Sequence, residues 1–101
     1  MRSCRGGARL EPVVRPTNAS ELAGHWQYAY NTYMRVTWDP RKAAANVAKH
    51  GVRFSDAEAV LFDPVALTRE DTSAEGERRF VSVGLDAIGR VDVVVFTYRA
   101  E

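Results

Sequence analysis

The segment from Asp39 to Gly51 carries the start, the body and the end of one short helix. Asp39 can cap the N-terminus by accepting a hydrogen bond from a free backbone N–H. Pro40 suits the first helical position, where its missing N–H costs nothing. Gly51 suits the position after the last turn, because glycine adopts a positive φ without strain. The segment therefore predicts a helix over residues 40–50, which any fold of this chain must accommodate.

Four polar side chains share one side of this predicted helix. They are Lys42, Asn46, Lys49 and His50. At 100° per residue they fall within about 100° of one another, opposite Ala44, Val47 and Ala48. A cationic stripe beside a group that titrates near neutral pH suits binding and cleavage of a phosphodiester. A solvated helix face, which is the commoner case, explains the same stripe.

The composition describes one small globular domain. The chain has 101 residues, 46% hydrophobic content and a formal net charge of +1. A nucleic-acid contact would therefore be local, unlike the broad basic surface of a tight binder. Cys4 is the single cysteine, and His25 and His50 have no ligand-like spacing, so neither a disulfide nor a metal site is expected. No membrane span or secretory signal is visible, so we expect a cytoplasmic location and no membrane partner.

The first third of the chain is its least regular part. Residues 1–19 are rich in Arg, Gly and Pro without a clear period, which predicts disorder. The aromatic residues within 20–33 have a spacing of two that fits a helix poorly. Met34 then begins a compact pattern, so we expect a domain at 34–101. Residues 1–33 are then either misassigned from an upstream start codon, which we favour, or an extension whose aromatic tip covers the domain.

The pattern after residue 34 predicts the element order β-α-α-β-β-β. A strand at 35–38 precedes the helix, and Ser55 with Glu58 forms a capping box for a second short helix that Asp63-Pro64 ends. Three strand candidates follow at residues 65–69, 79–84 and 91–98. Helices followed by a run of strands indicate an α+β domain, in which a small antiparallel sheet carries the two N-terminal helices on one face.

Two ordered blocks of residues run through positions 34–99. The first is Trp38-Asp39-x-x-Lys42-x-x-x-Asn46-x-x-Lys49-His50-Gly51-Val52-x-Phe54-x-x-Ala57, followed by Phe62-Asp63-Pro64. The second is Asp71, Gly76-Glu77-x-Arg79, Gly84 and Phe96-Thr97-Tyr98-Arg99. In these blocks the chain resembles the BrnT family, the toxin half of bacterial type II toxin–antitoxin pairs.

The resemblance implies a RelE/ParE-like fold and a ribonuclease that shuts down translation by cleaving RNA. It implies no metal or organic cofactor. It also implies an antitoxin of the BrnA type as partner. The ribbon-helix-helix part of that antitoxin binds DNA, so the toxin would meet DNA only through the complex.

Family members continue past the position of Arg99 with a further strand and a closing helix, which this sequence lacks. The alternative to an active ribonuclease is therefore a shortened, catalytically inactive toxin. Such a chain would only bind its antitoxin and modulate the operon.

RNA cleavage through the ribose 2′-OH needs a base, positive charge on the phosphorane and an acid for the leaving oxygen. The residues that match the family pattern and suit these roles are Lys49, His50, Glu77, Arg79 and Arg99, with Lys42 and Asn46 as RNA-binding residues. His50 suits either acid–base catalysis or a structural role at a helix C-terminus. Arg79 suits phosphate binding or an ion pair with Glu77 or Asp71.

Overall fold

Six strands form one continuous sheet in the computed structural model, which describes residues 7–16, 25–28, 35–72 and 76–99. The strands are β1 (Gly7–Val14), β2 (Gln27–Tyr28), β3 (Arg35–Thr37), β4 (Leu67–Asp71), β5 (Arg79–Leu85) and β6 (Val91–Arg99). Their order across the sheet is β2-β4-β5-β6-β1-β3. The predicted strands at 79–84 and 91–98 are confirmed as β5 and β6, and β4 begins two residues later than predicted.

Helix α1 (Pro40–His50) has both of the ends that the sequence predicts. The Asp39 carboxylate accepts a hydrogen bond from the Arg41 N–H at 2.8 Å, which satisfies a free donor of the first turn. Gly51 ends the helix in the left-handed conformation at φ 70°, and its N–H donates to the Val47 carbonyl. Asp39 and Gly51 are therefore structural residues of α1.

A shorter helix α2 (Phe54–Ala57) and a 3₁₀ helix (Glu58–Phe62) follow α1. The predicted capping box is wrong, because α2 begins at Phe54 and Ser55 lies inside it. Phe54 is buried and packs edge-on against Trp38 with ring centroids 5.9 Å apart. Burial of the Phe54 ring is a tertiary effect, and it determines where α2 begins more strongly than a local capping signal does.

The architecture differs from the expected small antiparallel sheet with two N-terminal helices in the order β-α-α-β-β-β. The sheet is mixed, because β1 pairs in parallel with β3 and antiparallel with β6. Strands β1 and β2 come from residues 1–33, so the prediction of disorder is wrong for Gly7–Val14. Ala8, Leu10 and Val13 of β1 are buried in the core, and this tertiary packing overrides the loop-like composition of their neighbours.

The core lies between the sheet and the helices. Residues paired across an antiparallel sheet share a face, so Leu10, Phe96 and Phe80 lie side by side on the face that carries the helices. The buried core residues are Ala8, Leu10, Val13, Val52, Phe54, Ala57, Val60, Leu61, Ala66, Val94 and Phe96. Successive strand residues alternate in direction, so Arg79 and Thr97 lie on the opposite face.

Gly84 lets the segment after the 3₁₀ helix approach β5 closely. A Cβ at this position would lie 2.9 Å from the Cβ of Ala66 and 3.0 Å from the Oδ2 of Asp63. The Asp63 carboxylate accepts a hydrogen bond from the Leu85 N–H at 2.9 Å. Gly84 and Asp63 both belong to the family pattern. Close packing accounts for glycine at position 84, and the hydrogen bond to Leu85 accounts for aspartate at position 63.

Candidate functional site

A cleft of about 210 Å³ lies between α1 and β1. Its lining residues are Glu11, Pro12, Lys42, Ala45, Asn46, Lys49 and His50. The structure therefore gathers at one cleft the four polar residues that the sequence places on one side of α1. Lys49 and His50 are exposed in the last turn, where the helix dipole and the free carbonyl groups favour cations.

Lys42 is engaged by a carboxylate within this cleft. Its Nζ lies 3.0 Å from the Oε1 of Glu11 on β1. The side chain of Glu11 is only 14% exposed, whereas that of Lys42 is half exposed. An RNA phosphate would have to compete with Glu11 for this ammonium group. The main role of Lys42 in the structure is therefore the ion pair with Glu11 that links α1 to β1.

Asn46 is buried, with 4% of its surface exposed, and its side chain bonds only to backbone groups in the described contacts. Its Oδ1 accepts from the Val13 N–H at 2.9 Å, and its Nδ2 donates to the carbonyl oxygens of Val13 at 2.9 Å and Val52 at 3.0 Å. These bonds use both amide hydrogens and the oxygen. Asn46 therefore has a structural role, and its RNA-binding role stays a prediction.

The other predicted site residues lie elsewhere on the sheet. Arg79 begins β5 directly opposite Asp71 of β4, and Glu77 precedes it; both Glu77 and Arg79 are exposed. Arg99 is the last residue of β6 and lies in register with Gly7. Arg79 and Arg99 therefore belong to the same end of the sheet.

Arg79 and His50 do not share a site. The pairing of Phe80 with Phe96, and of Thr97 with Arg9, places Arg79 at the level of Arg9 on β1. His50 precedes Gly51, whose carbonyl accepts a hydrogen bond from Arg15 at 3.4 Å. The α1 cleft that His50 lines also includes Glu11 and Pro12 of β1, two and three residues after Arg9. Two strand spacings, roughly 10 Å, separate β5 from β1 across the sheet, and Arg79 does not line the α1 cleft.

A buried pair of carboxyl groups lies at the turn between β5 and β6, and sequence reasoning missed it. Asp86 accepts hydrogen bonds from the N–H groups of Ile88 at 3.0 Å and Arg90 at 2.9 Å, which close the turn. Asp92 on β6 is fully buried, with the Nε of Arg15 at 3.9 Å from its Oδ1. A charged residue in the valine-rich strand 91–98 was the available signal.

The environment pushes the pKa values of these two groups apart. Burial, and then the neighbouring Asp86, raise the pKa of Asp92 to about 7, against the opposing charges of Arg15 and Arg90. Burial alone would raise the pKa of Asp86 as well. Hydrogen bonds from Asp92 and from the backbone of Arg90 and Ile88 outweigh that effect and lower it. Asp92 is therefore the carboxyl group of the pair that binds a proton more readily.

A second cleft, of about 380 Å³, lies where β2 meets β4. It is lined by His25, Gln27, Tyr28, Thr68, Arg69, Glu70, Phe80 and Tyr98. Sequence reasoning missed this cleft because three of these residues come from the segment 1–33. Their positions depend on the pairing of β2 with β4, whose partners lie some forty residues apart.

Within the described ranges, no group of three or more His, Cys, Asp or Glu side chains is arranged to hold a metal ion. The helices of this part of the chain are also too short to cross a membrane.

A comparison with family models identifies the class of protein to which this sheet and its α1 cleft belong. Residues 38–101 match the model described as a ribonuclease toxin, BrnT, of a type II toxin–antitoxin system. This match spans more than half of the chain, so the protein belongs to the BrnT family of ribonuclease toxins. The resemblance in the sequence blocks is thereby confirmed, and membership implies an antitoxin as partner. No curated protein and no solved structure gave a significant match.

Proposed function

We propose that this toxin cleaves RNA without a metal ion and that Lys49 and His50 form its reaction centre. The observation that carries the proposal is that both side chains are exposed at one cleft, in the last turn of α1. Family membership supplies the reaction class, and the cleft supplies a cation beside a group suited to proton transfer.

In this mechanism the ribose 2′-OH attacks the neighbouring phosphorus atom and the bond to the 5′-oxygen breaks. His50 takes the proton from the 2′-OH or returns one to the leaving 5′-oxygen. The ammonium group of Lys49 stabilises the negative charge that develops on the phosphorane oxygens. A product with a 2′,3′-cyclic phosphate and a 5′-OH follows from this route.

Arg79, Glu77 and Arg99 take a different role in the proposal. A group that acts on the reacting phosphate has to lie within hydrogen-bond reach of it. Arg79 begins β5, two strand spacings or roughly 10 Å across the sheet from β1, whose residues line the α1 cleft. We therefore assign Arg79 and Arg99 to phosphates away from the scissile bond, and Glu77 to orienting the start of β5.

We also propose a BrnA-type antitoxin as the partner, translation as the process that RNA cleavage inhibits, and DNA as a ligand of the complex only. The BrnT family supports these assignments, because a type II toxin is neutralised by a protein. Lys49 and His50 are exposed, so a bound antitoxin could cover both of them.

The proposal is tested by incubating the purified chain with labelled RNA, with and without EDTA. We expect cleavage that EDTA does not abolish and that His50→Ala reduces by about 10²- to 10⁴-fold, the usual size of acid–base catalysis. Arg41→Ala is the matched control, because Arg41 is on the same helix and its side chain is 95% exposed. Intact RNA with the folded wild-type chain would contradict the proposal.

A second candidate function is antitoxin binding without catalysis. It is favoured by the division of the predicted catalytic residues and by the engagement of Lys42 and Asn46 in structure. A chain of this kind would bind the antitoxin with unchanged affinity after the substitutions Lys49→Ala and His50→Ala, and would leave RNA intact.

A further inference from the structure

The cleft between β2, β4, β5 and β6 presents aromatic rings that the helices leave accessible. Phe80 of β5 and Tyr98 of β6 both line it. Their ring centroids lie 5.0 Å apart at an interplanar angle of 68°. Tyr98 is 44% exposed, although it also packs against the buried Phe96 at 5.3 Å. The Tyr98 ring is therefore held in place by Phe80 and Phe96, and its exposed part lines the cleft.

A guanidinium group lies over one ring of this aromatic surface. The Arg78 guanidinium lies over the Phe80 ring at 5.4 Å. Glu70 fixes it through two hydrogen bonds of 2.9 Å, from Nε and Nη2. This pairing engages Nε and Nη2 of Arg78 and positions the guanidinium group over the ring.

Polar groups of both hydrogen-bonding types surround the rings. Gln27 brings an exposed carboxamide, which donates and accepts. The Thr68 hydroxyl is bonded to the Ser82 hydroxyl at 2.5 Å, so its position is fixed. Rings with a mixed set of donors and acceptors suit a flat heterocycle that carries donors and acceptors on its own edge. A volume of about 380 Å³ is within the usual range of small-ligand sites.

We propose that this cleft binds one unpaired nucleobase of RNA against the ring of Tyr98, with Gln27 at the edge of the base. The inference rests on the proposed ribonuclease function, and it adds a base-binding subsite remote from the α1 cleft. Base stacking on aromatic side chains is the common way in which a sheet surface holds single-stranded RNA. An extended peptide fits less well, because β2 already pairs with β4 at Leu67 and Thr68 and blocks strand addition there.

The test uses the full chain and a 2′-fluoro RNA octamer, which lacks the 2′-OH nucleophile and so is not cleaved. A 2-aminopurine base in the octamer reports stacking through quenching of its fluorescence. We expect Tyr98→Leu to weaken binding by about 5- to 100-fold and to remove the quenching, as the loss of one base–aromatic stack does. Tyr98→Phe keeps the ring and is the matched control, with binding close to that of the wild type.

Gln27→Ala provides a second variant that does not disturb the core, because Gln27 is exposed. We expect it to weaken binding of the octamer by about 2- to 10-fold, the effect of one hydrogen bond. Unchanged binding in both Tyr98→Leu and Gln27→Ala would overturn the inference. Loss of antitoxin binding in Tyr98→Leu with unchanged RNA binding would also overturn it and would identify a protein interface.

The two proposals fail in different ways. A wild-type chain that binds and quenches the octamer but leaves natural RNA intact contradicts the ribonuclease proposal and supports the base-binding subsite. A chain that cleaves RNA at the same rate and with the same octamer affinity in wild type and Tyr98→Leu supports the ribonuclease and overturns the subsite.

Discussion

Asn46 of α1 pairs with Val13 of β1 as a neighbouring strand would. Its side-chain oxygen accepts from the Val13 N–H, and its side-chain nitrogen donates to the Val13 carbonyl, both at 2.9 Å. Strand β3 pairs with β1 only at Gly7–Arg9, so the outer edge of β1 at Val13 has no strand beside it among the described residues. The amide thus protects a sheet edge while it holds α1 against the sheet.

The first prediction concerns this pairing. Asn46→Ala leaves the N–H and carbonyl of Val13 and the carbonyl of Val52 without the bonds shown here. A buried polar group without a partner costs about 1–3 kcal/mol. We therefore expect the free energy of unfolding to fall by about 3 kcal/mol, measured by urea denaturation. Lys49→Ala, on the exposed side of the same helix, is the control and should change it by less than about 0.5 kcal/mol. Equal stability of the two variants would contradict this interpretation.

The second prediction concerns the buried carboxyl pair. The pKa of Asp92 is raised from 3.8 to about 7, so the folded chain keeps a proton that the unfolded chain releases. Stability should therefore fall as pH rises from about 4 to about 7, and then level off. Asp92→Asn mimics the protonated form and removes this dependence. The unfolding free energy of Asp92→Asn minus that of the wild type should therefore increase by about 2–4 kcal/mol between about pH 4 and about pH 8.

Urea denaturation at the two pH values measures that gain. Asp86 has its pKa lowered, so its own contribution to stability is lost only at acid pH and does not mask the effect of Asp92. A stability difference between Asp92→Asn and wild type that is the same at both pH values would show that the pKa of Asp92 is not raised in the folded chain.

The third prediction separates the two groups of predicted catalytic residues. His50 ends α1, which packs beside β1, whereas Arg79 begins β5, two strand spacings or roughly 10 Å from β1 across the sheet. Substitutions at such a distance without shared partners are additive within about 0.5 kcal/mol. The loss of RNA cleavage in the double variant His50→Ala/Arg79→Ala should therefore equal the product of the two single losses within about a factor of two to three. If the double variant cleaves RNA as fast as the less active of the two single variants, both side chains belong to one reaction centre.

Prediction from the sequence succeeded where the cause is local. The ends of α1 follow from Asp39, Pro40 and Gly51, whose effects depend on backbone groups within four residues. The strands β5 and β6 follow from runs of β-branched residues, and the residue blocks were enough to identify the family. Lys49 and His50 were correctly placed on one side of α1 because the period of a helix is fixed.

Prediction failed where the cause is a partner far along the chain. The segment Gly7–Val14 is a strand because β6 and β3 pair with it, and its own composition resembles a loop. Asn46 belongs to the polar stripe by spacing, yet it is buried because Val13 needs both of its bonds. Arg79 and His50 appear in one family pattern, but Arg79 begins β5 and His50 ends α1 beside β1, two strand positions away.

The amino-acid sequence by itself therefore determined the capped helix, the two valine-rich strands and membership of the BrnT family. Each of these depends on neighbours in the chain or on an ordered series of residues. The tertiary structure decided that β1 lies between β6 and β3, that Asn46 is buried against the backbone of Val13, and that a cleft forms between β2 and Tyr98. Those features require buried backbone groups and aromatic rings from distant segments to meet, because only their mutual pairing offsets the loss of hydration.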